Sequence, residues 1–165
     1  MLFRSAIENI VKYARRRPNK IGLGYDVFKV LKQHPEIIER IKYTGTTTNP
    51  AVVTTNVLAQ IFGVEKVVVF ESTYNVAGED LTESMSFICD PKGILICFAP
   101  NSPSIDTPSA GYMFAWDMLG NGNWMALDQW LGDGGTHSEY VEGLMSYDMK
   151  KVADDCAVYL TSAVH

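Results

Sequence analysis

The sequence predicts an α+β fold, because helical patterns fill its first half and strand patterns its second. Apolar residues recur with helical spacing from Phe3 to Ile41 and again from Val57 to Phe62. After Ala77 short alternating or continuous apolar runs are separated by glycine, asparagine and proline. The 165 residues, 47% hydrophobic and 20% charged, suffice for one domain or two small lobes. The proline-rich link at residues 100–110 is where we expect one lobe to pass into the other.

The first helix is predicted to end near Arg17, before Pro18-Asn19. A short strand follows at Lys20–Leu23, and a second helix starts at residues 24–26. His34-Pro35 interrupts that helix and starts another, since proline suits a first helical turn but not a helix interior. The apolar residues expected to face the core are Phe3, Ile7, Ile10, Ala14, Val27, Phe28, Val30, Leu31, Ile37, Ile38 and Ile41.

Leu58–Ala77 predicts a helix, a glycine stop and a long strand. One of residues 54–56 is expected to cap the helix, and Gly63 to close it in the left-handed conformation, with Val64 folding back. The unbroken run Val67–Phe70 predicts a strand that is covered on both faces. This stretch contains no nucleophile, metal ligand or phosphate-binding loop.

The second half predicts strands joined by tight turns. Asp90-Pro91-Lys92-Gly93 is expected to join Ser86–Cys89 and Gly93–Ala99 into a hairpin. Further turns are expected at residues 78–80, 120–123 and 132–135, and the last strands lie within Tyr140–Met149 and Cys156–Ala163. The alternating aromatic residues Tyr112, Phe114, Trp116, Trp124 and Trp130 predict one sheet face, for which core or subunit contact is favoured over base stacking or carbohydrate binding.

Candidate catalytic and metal-binding residues are sparse. His34, His137 and His165 have no tight ligand spacing with each other or with a cysteine, so no metal site is predicted. Residues 132–135 are rich in glycine, but no helix with Lys-Ser or Lys-Thr follows. The acid pairs at 79–80 and 154–155 are typical of solvated turns, and no Gly-x-Ser-x-Gly elbow supports a serine triad.

Charge and cysteine content exclude further classes. The net charge of −5 and pI near 5.1 disfavour a general nucleic-acid binder. The basic cluster Arg15-Arg16-Arg17 suits a helix C-terminus better than a phosphate site. Cys89, Cys97 and Cys156 lie in apolar runs, which predicts buried reduced thiols. No apolar run is long enough for a membrane helix.

The order of these segments resembles that of the tailed-bacteriophage major capsid protein family. The resemblance covers most of the chain as an ordered set of moderately specific motifs. One is a helix, Phe-Gly-Val and a valine-rich strand, and another is an apolar strand, a proline link and Ser-Ala-Gly-Tyr. The segments that carry it are Arg17–Phe28 with Leu31, His34-Pro35 and Ile38–Lys42; Leu58–Ala77; and Leu95–Pro100 with Pro103, Pro108–Tyr112 and Phe114–Trp116.

This resemblance implies the Hong Kong phage capsid fold. Residues 1–19 would end the spine helix of a peripheral domain, 20–100 would form an axial domain, and 101–165 would return to the peripheral domain. Nothing before Met1 supplies the family's N-terminal arm and extended loop, so the chain is expected to be a C-terminal portion. The loops at Thr44–Pro50 and Glu79–Ser84 are expected to face neighbours or an axis.

The implied function is structural: the protein would associate with itself into capsomers and a shell that encloses DNA. It would be located in the virion after synthesis in the host cytoplasm. No catalytic, cofactor-binding or metal-binding residue is implied, and no membrane. The further partners implied are scaffold, portal or decoration proteins, and packaged DNA through weak contact. The alternatives are a small hydrolase or ligand-binding enzyme using Asp, Ser and His137, and a head-completion or decoration protein.

Overall fold

A computed structural model describes residues 2–42, 53–116, 125–132, 134–135 and 137–164. These residues form two compact units: the first is Met1–Ala110 with Ala153–His165, and the second is Gly111–Val152. The helices are α1 (Leu2–Ala14), α2 (Tyr25–Gln33), α3 (Pro35–Lys42) and α4 (Thr55–Phe62). The strands are β1 (Lys20–Gly24), β2 (Lys66–Phe70), β3 (Thr73–Asn75), β4 (Met85–Phe87), β5 (Ile94–Cys97), β6 (Gly111–Ala115), β7 (Met125–Leu131), β8 (Glu139–Met145), β9 (Tyr147–Lys151) and β10 (Ala157–Leu160).

A four-stranded sheet in the order β10-β5-β1-β2 organises the first unit. β1 runs parallel to β2 and antiparallel to β5, and β10 runs antiparallel to β5. In this register one sheet face aligns Ile21 with Val67 and Ile96, and Leu23 with Ile94. All four helices contribute buried residues to the core that covers this face: Ala6, Ile10, Val27, Ile37, Ile41, Leu58 and Ala59.

The opposite sheet face is less covered, which corrects the prediction that Val67–Phe70 is buried on both sides. Val67 is buried on the helix side, but Val68 points the other way and is 40% exposed. β2 lies at the edge of the sheet, so a single neighbour, β1, flanks it among the described strands. The long strand predicted to continue to Ala77 also breaks, because β3 leaves this sheet and pairs with β4.

The predicted helix, glycine and strand unit is otherwise present. The Thr54 hydroxyl accepts a hydrogen bond from the Val57 N–H at 3.4 Å, which caps α4. Gly63 closes the helix with φ of 65°, the left-handed conformation that glycine adopts without a Cβ penalty. Val64 then folds back and donates to the Ala59 carbonyl at 3.0 Å.

The predicted hairpin across Asp90–Gly93 is wrong, although the turn itself is present. Its two strands join different sheets: β4 pairs with β3, while β5 pairs with β1 and β10. The Pro91 carbonyl instead accepts hydrogen bonds from the N–H groups of Asp26 and Val27, satisfying the first turn of α2. Gly24 allows this approach, because a Cβ there would lie 2.2 Å from the Pro91 oxygen.

Asn19 joins three segments of the first unit. Its side chain donates to the Ala99 carbonyl at 2.8 Å and accepts from the Ala99 N–H at 2.9 Å. Its own carbonyl accepts from the N–H groups of Glu65 and Lys66 at 2.9 and 3.1 Å. The residue that the sequence indicated as a helix stop therefore also aligns the starts of β1 and β2 with the end of β5.

The burial of α2 differs from its prediction at one position. Val27 is buried, and Phe28 and Leu31 are partly buried, but Val30 is 45% exposed. The predicted loop at Thr44–Pro50 and the turn at 120–123 lie outside the described residues.

We expect Asn19→Ala to lower the free energy of unfolding by about 2–3 kcal/mol, because both side-chain hydrogen bonds to Ala99 are lost and the Ala99 polar groups remain partly buried. The third side-chain hydrogen bond of Asn19, to the Glu65 carboxylate at 3.4 Å, is exposed and contributes little. Asn101→Ala is the matched control, since its amide makes one exposed hydrogen bond, to Glu65 at 2.8 Å; its cost should stay within about 0.5 kcal/mol. Denaturant unfolding measures both. Equal losses for the two variants would contradict the role given to Asn19.

Candidate assembly surfaces

The residues considered for catalysis do not converge. His137 is exposed in the loop between β7 and β8 and forms no hydrogen bond to an acid or a hydroxyl of the described residues. His34 lies between α2 and α3, where its carbonyl accepts from the N–H groups of Ile37 and Ile38. In the described ranges no three His, Cys, Asp or Glu side chains are grouped to hold a metal ion. The hydrolase alternative therefore has no histidine, acid and hydroxyl brought together in this part of the chain.

The three cysteines differ in environment, which corrects the prediction that all are buried. Cys156 is buried, Cys97 is partly buried and Cys89 is exposed. Burial raises the pKa of the Cys97 thiol despite the opposing charge of Lys20. Burial also raises the pKa of the Cys156 thiol, helped by Asp155 and opposed by Arg16.

The three consecutive arginines have separate roles. The Arg16 guanidinium lies 6.0 Å from the centre of the Phe98 ring. The Arg17 guanidinium lies over Gly63, where it would be 2.7 Å from an added Cβ, beside the carbonyl end of α4. Arg15 is exposed and follows α1 with φ of 54°. Two of the three are thus used within the first unit, largely as helix-end and aromatic contacts.

β3 and β4 form a short hairpin with an acidic tip. The Phe87 ring stacks on Tyr25 at 5.4 Å, which anchors its base to α2. The Asn75 carboxamide oxygen accepts from the N–H groups of Ala77 and Ser84, both at 3.0 Å, and so closes the loop between them. That loop exposes the acids Glu79, Asp80 and Glu83 together with Leu81. The sequence indicated a turn here, but the Asn75 contacts across nine residues had no sequence signal.

The second unit consists of two antiparallel ladders, β6 with β9 and β7 with β8. Ser146 alone separates β8 from β9 along the chain. We call these paired strands the ribbon (residues 111–116, 125–131 and 139–151). No described residue of Gly111–Val152 is buried. A two-stranded ladder has no interior of its own, so such a structure is marginal in water without cover.

The β7–β8 ladder has two chemically different faces. Opposite residues share a face, so Met125, Met145, Leu127, Leu131 and Val141 give one side a mostly apolar surface. Gln129 and Glu139 lie on the same side, where the Gln129 amide donates a hydrogen bond to the Glu139 carboxylate. The other side carries Asp128 directly opposite Glu142, next to Trp130 opposite Tyr140. We call these last four residues the acidic–aromatic face. The Trp130 and Tyr140 rings stack with centroids 5.8 Å apart and an interplanar angle of 15°.

The predicted aromatic face is therefore not a buried core face. Phe114 belongs to the β6–β9 ladder, Trp116 directly follows β6, and Trp130 belongs to the β7–β8 ladder; all three are about half exposed. Strand alternation was identified correctly for β6, but alternation alone does not show what covers a face. The subunit-contact alternative stays open for these residues, and Trp124 lies outside the described residues.

Within the described residues, no helix is both long and apolar enough to span a membrane.

The chain is similar to known phage proteins in sequence and in fold. No family model matches the chain. A 59-residue stretch is 42% identical to the major capsid protein of Burkholderia phage BcepMu, covering 36% of this chain and 18% of that protein.

Two solved structures share the fold. A phage-related protein from Bordetella bronchiseptica RB50 superposes with a TM-score of 0.78 at 19% identity, over 98% of this chain and 50% of that one. A protein of an E. coli CFT073 prophage, described as its capsid protein, gives a TM-score of 0.55 at 14% identity, over 96% and 46%. The chain thus spans about half the length of these solved chains.

These findings confirm the resemblance to a phage major capsid protein and the α+β class. The homologous protein is a named major capsid protein, and both structural neighbours come from phage or prophage sources. At 14–19% identity the structural likeness establishes the fold rather than the activity.

We expect Cys89 to react first with an aromatic disulfide reagent, because it is exposed. Cys97 and Cys156 should react slowly at pH 7, since their raised pKa values keep the thiols protonated, and should accelerate as the pH rises. Thiol release at pH 7 and pH 9, with and without denaturant, measures this order. Equal rates for Cys156 and Cys89 in the native protein would contradict the packing of the first unit.

Proposed function

We propose that this protein is a structural subunit of an icosahedral phage capsid and acts by self-association into capsomers and a shell around DNA. The similarity to a named major capsid protein and to two phage-derived structures supports this proposal. The observation that carries it is the ribbon, in which no described residue is buried. A subunit that repeats around rotation axes can cover such strands with copies of itself.

The fold that fits this role is the Hong Kong phage capsid fold. In that arrangement α1 would belong to a peripheral domain and residues 20–100 to an axial domain. The strands of residues 101–165 would lead back to the peripheral domain. The four-stranded sheet and its helices supply the stiff body, and the β3–β4 hairpin presents Glu79–Ser84 at a tip. Scaffold, portal or decoration proteins would be further partners. The protein would be made in the host cytoplasm and located in the virion.

The proposed mechanism consists of contacts between subunits and includes no enzymatic turnover. Many weak contacts add up when each subunit makes several at once. The net charge of −5 disfavours tight non-specific binding to DNA, which suits a wall that encloses packed DNA without holding it. No catalytic step is part of this proposal.

Sedimentation velocity and negative-stain electron microscopy of the purified protein test the proposal. We expect rings of subunits or closed shells whose amount rises steeply with protein concentration. A protein that stays monomeric at high micromolar concentration would contradict self-association. A monomer that binds preformed shells would instead support the head-completion or decoration alternative.

The acidic tip gives a second prediction. Glu79→Lys with Glu83→Lys should reduce assembly by about tenfold or more, because like or mismatched charges at a contact are costly, while leaving the unfolding curve unchanged. Glu39→Lys, at an exposed acid on α3, is the control for a change in charge alone. Assembly equal to that of the unmodified protein would show that the tip does not face a neighbour.

A further inference from the structure

We propose that the acidic–aromatic face of the ribbon receives the Arg15 guanidinium of a second copy of this chain. The inference rests on the proposed self-association and specifies one of its contacts. Its basis is a pair of complementary features, each without a partner among the described residues.

The first feature is a concentration of negative charge on one sheet face. Asp128 lies directly opposite Glu142, and like charges in that position destabilise an antiparallel ladder. β7 and β8 contain no lysine or arginine, and their third acid, Glu139, lies on the opposite face. No basic side chain of the described residues forms an ion pair with Asp128 or Glu142. A cation from outside the ladder would offset this repulsion.

The stacked rings beside the acids favour the same kind of ligand. Trp130 and Tyr140 present π faces next to the two carboxylates, at the adjacent register position. A ring face attracts a cation through its quadrupole, and a carboxylate pair offers acceptors for a planar guanidinium. Arginine meets both requirements better than lysine, because its flat fork stacks and hydrogen-bonds at the same time.

The second feature is Arg15 itself. Arg16 lies over Phe98 and Arg17 over Gly63, whereas Arg15 is exposed and has no ion pair or ring contact with the described residues. Its φ of 54° is the left-handed conformation that glycine usually supplies after a helix. An arginine there sets a guanidinium beside the end of α1 at a conformational cost that glycine would avoid.

The charges of the two surfaces are complementary. Residues 2–17 carry five basic side chains and one acidic side chain, against two acids and no base on the acidic–aromatic face. A head-to-tail contact between different surfaces is what a ring of subunits requires. The basic residues of this segment are Arg4, Lys12, Arg15, Arg16 and Arg17.

Charge exchange between copies tests the contact. Arg15→Glu alone, and Asp128→Lys with Glu142→Lys alone, should each raise the protein concentration needed for assembly by about tenfold or more. An equal mixture of the two variants should restore assembly, since every contact between unlike copies is again complementary. Light scattering and sedimentation velocity give the threshold concentration.

The Arg15→Gly variant distinguishes an effect on the contact between copies from an effect on folding of the monomer. It removes the guanidinium but suits the left-handed backbone, so the melting temperature of the monomer should hold or rise by a few degrees while assembly is lost. Glu8→Gln, an exposed charge on the same helix, is the matched control and should assemble like the unmodified protein.

Each other outcome is decisive. Arg15 variants that assemble normally overturn the inference and leave the proposed function standing. Restoration in a single chain carrying all three changes, but not in the mixture, means that the contact lies within one chain. Loss of binding to double-stranded DNA with unchanged assembly makes Arg15 a phosphate contact. If the unmodified protein never assembles, the proposed function itself fails.

Discussion

The first unit depends on the hydrogen bonds of Asn19. Its side chain pairs with both polar groups of Ala99, and its carbonyl receives two N–H groups at the start of β2. These bonds align β1 between a parallel and an antiparallel neighbour, whose ladders have different hydrogen-bond geometry. Once β1 is fixed, Ile21 and Leu23 face the helices, and the core that includes Ile10, Leu58 and Ile96 closes over them.

The described residues of the second unit form no equivalent core. Its strands pair in twos, and its apolar side chains stand on ladders in which no described residue is buried. Hydrophobic burial is the main favourable term in folding, so such strands gain little by forming in isolation. In the proposed function the first unit is stabilised by its own core, and the second unit by contacts with neighbouring copies.

Much of the first unit was predictable from local sequence. The helix, glycine and valine strand at residues 55–70 needs only capping, a left-handed glycine and β-branched residues. The turn at Asp90–Gly93 was also predictable. Its contact with α2 was not, because the Pro91 carbonyl accepts hydrogen bonds from the first turn of a helix that is distant in sequence. The Asn19 bonds to Ala99 and the parallel pairing of β1 with β2 are likewise non-local, and no periodicity encodes them.

The assembly surfaces were predictable in part. Alternation located β6, and the turn at residues 78–80 located the acidic tip. Alternation did not show that Phe114 and Trp130 belong to different ladders, because strand partners depend on register. The opposition of Asp128 to Glu142 and the stacking of Trp130 on Tyr140 follow from that register alone. Alternation predicted core or subunit contact for Phe114, Trp116 and Trp130, and the structure leaves all three about half exposed.

We propose that contacts between copies stabilise the ribbon. Amide hydrogen exchange, followed by mass spectrometry on dilute and on assembled protein, tests it most directly. We expect peptides from residues 111–116 and 125–151 to exchange rapidly in the dilute protein and to become protected on assembly, while those from β1 and β5 are protected in both. Equal and strong protection of the ribbon in dilute monomer would contradict it.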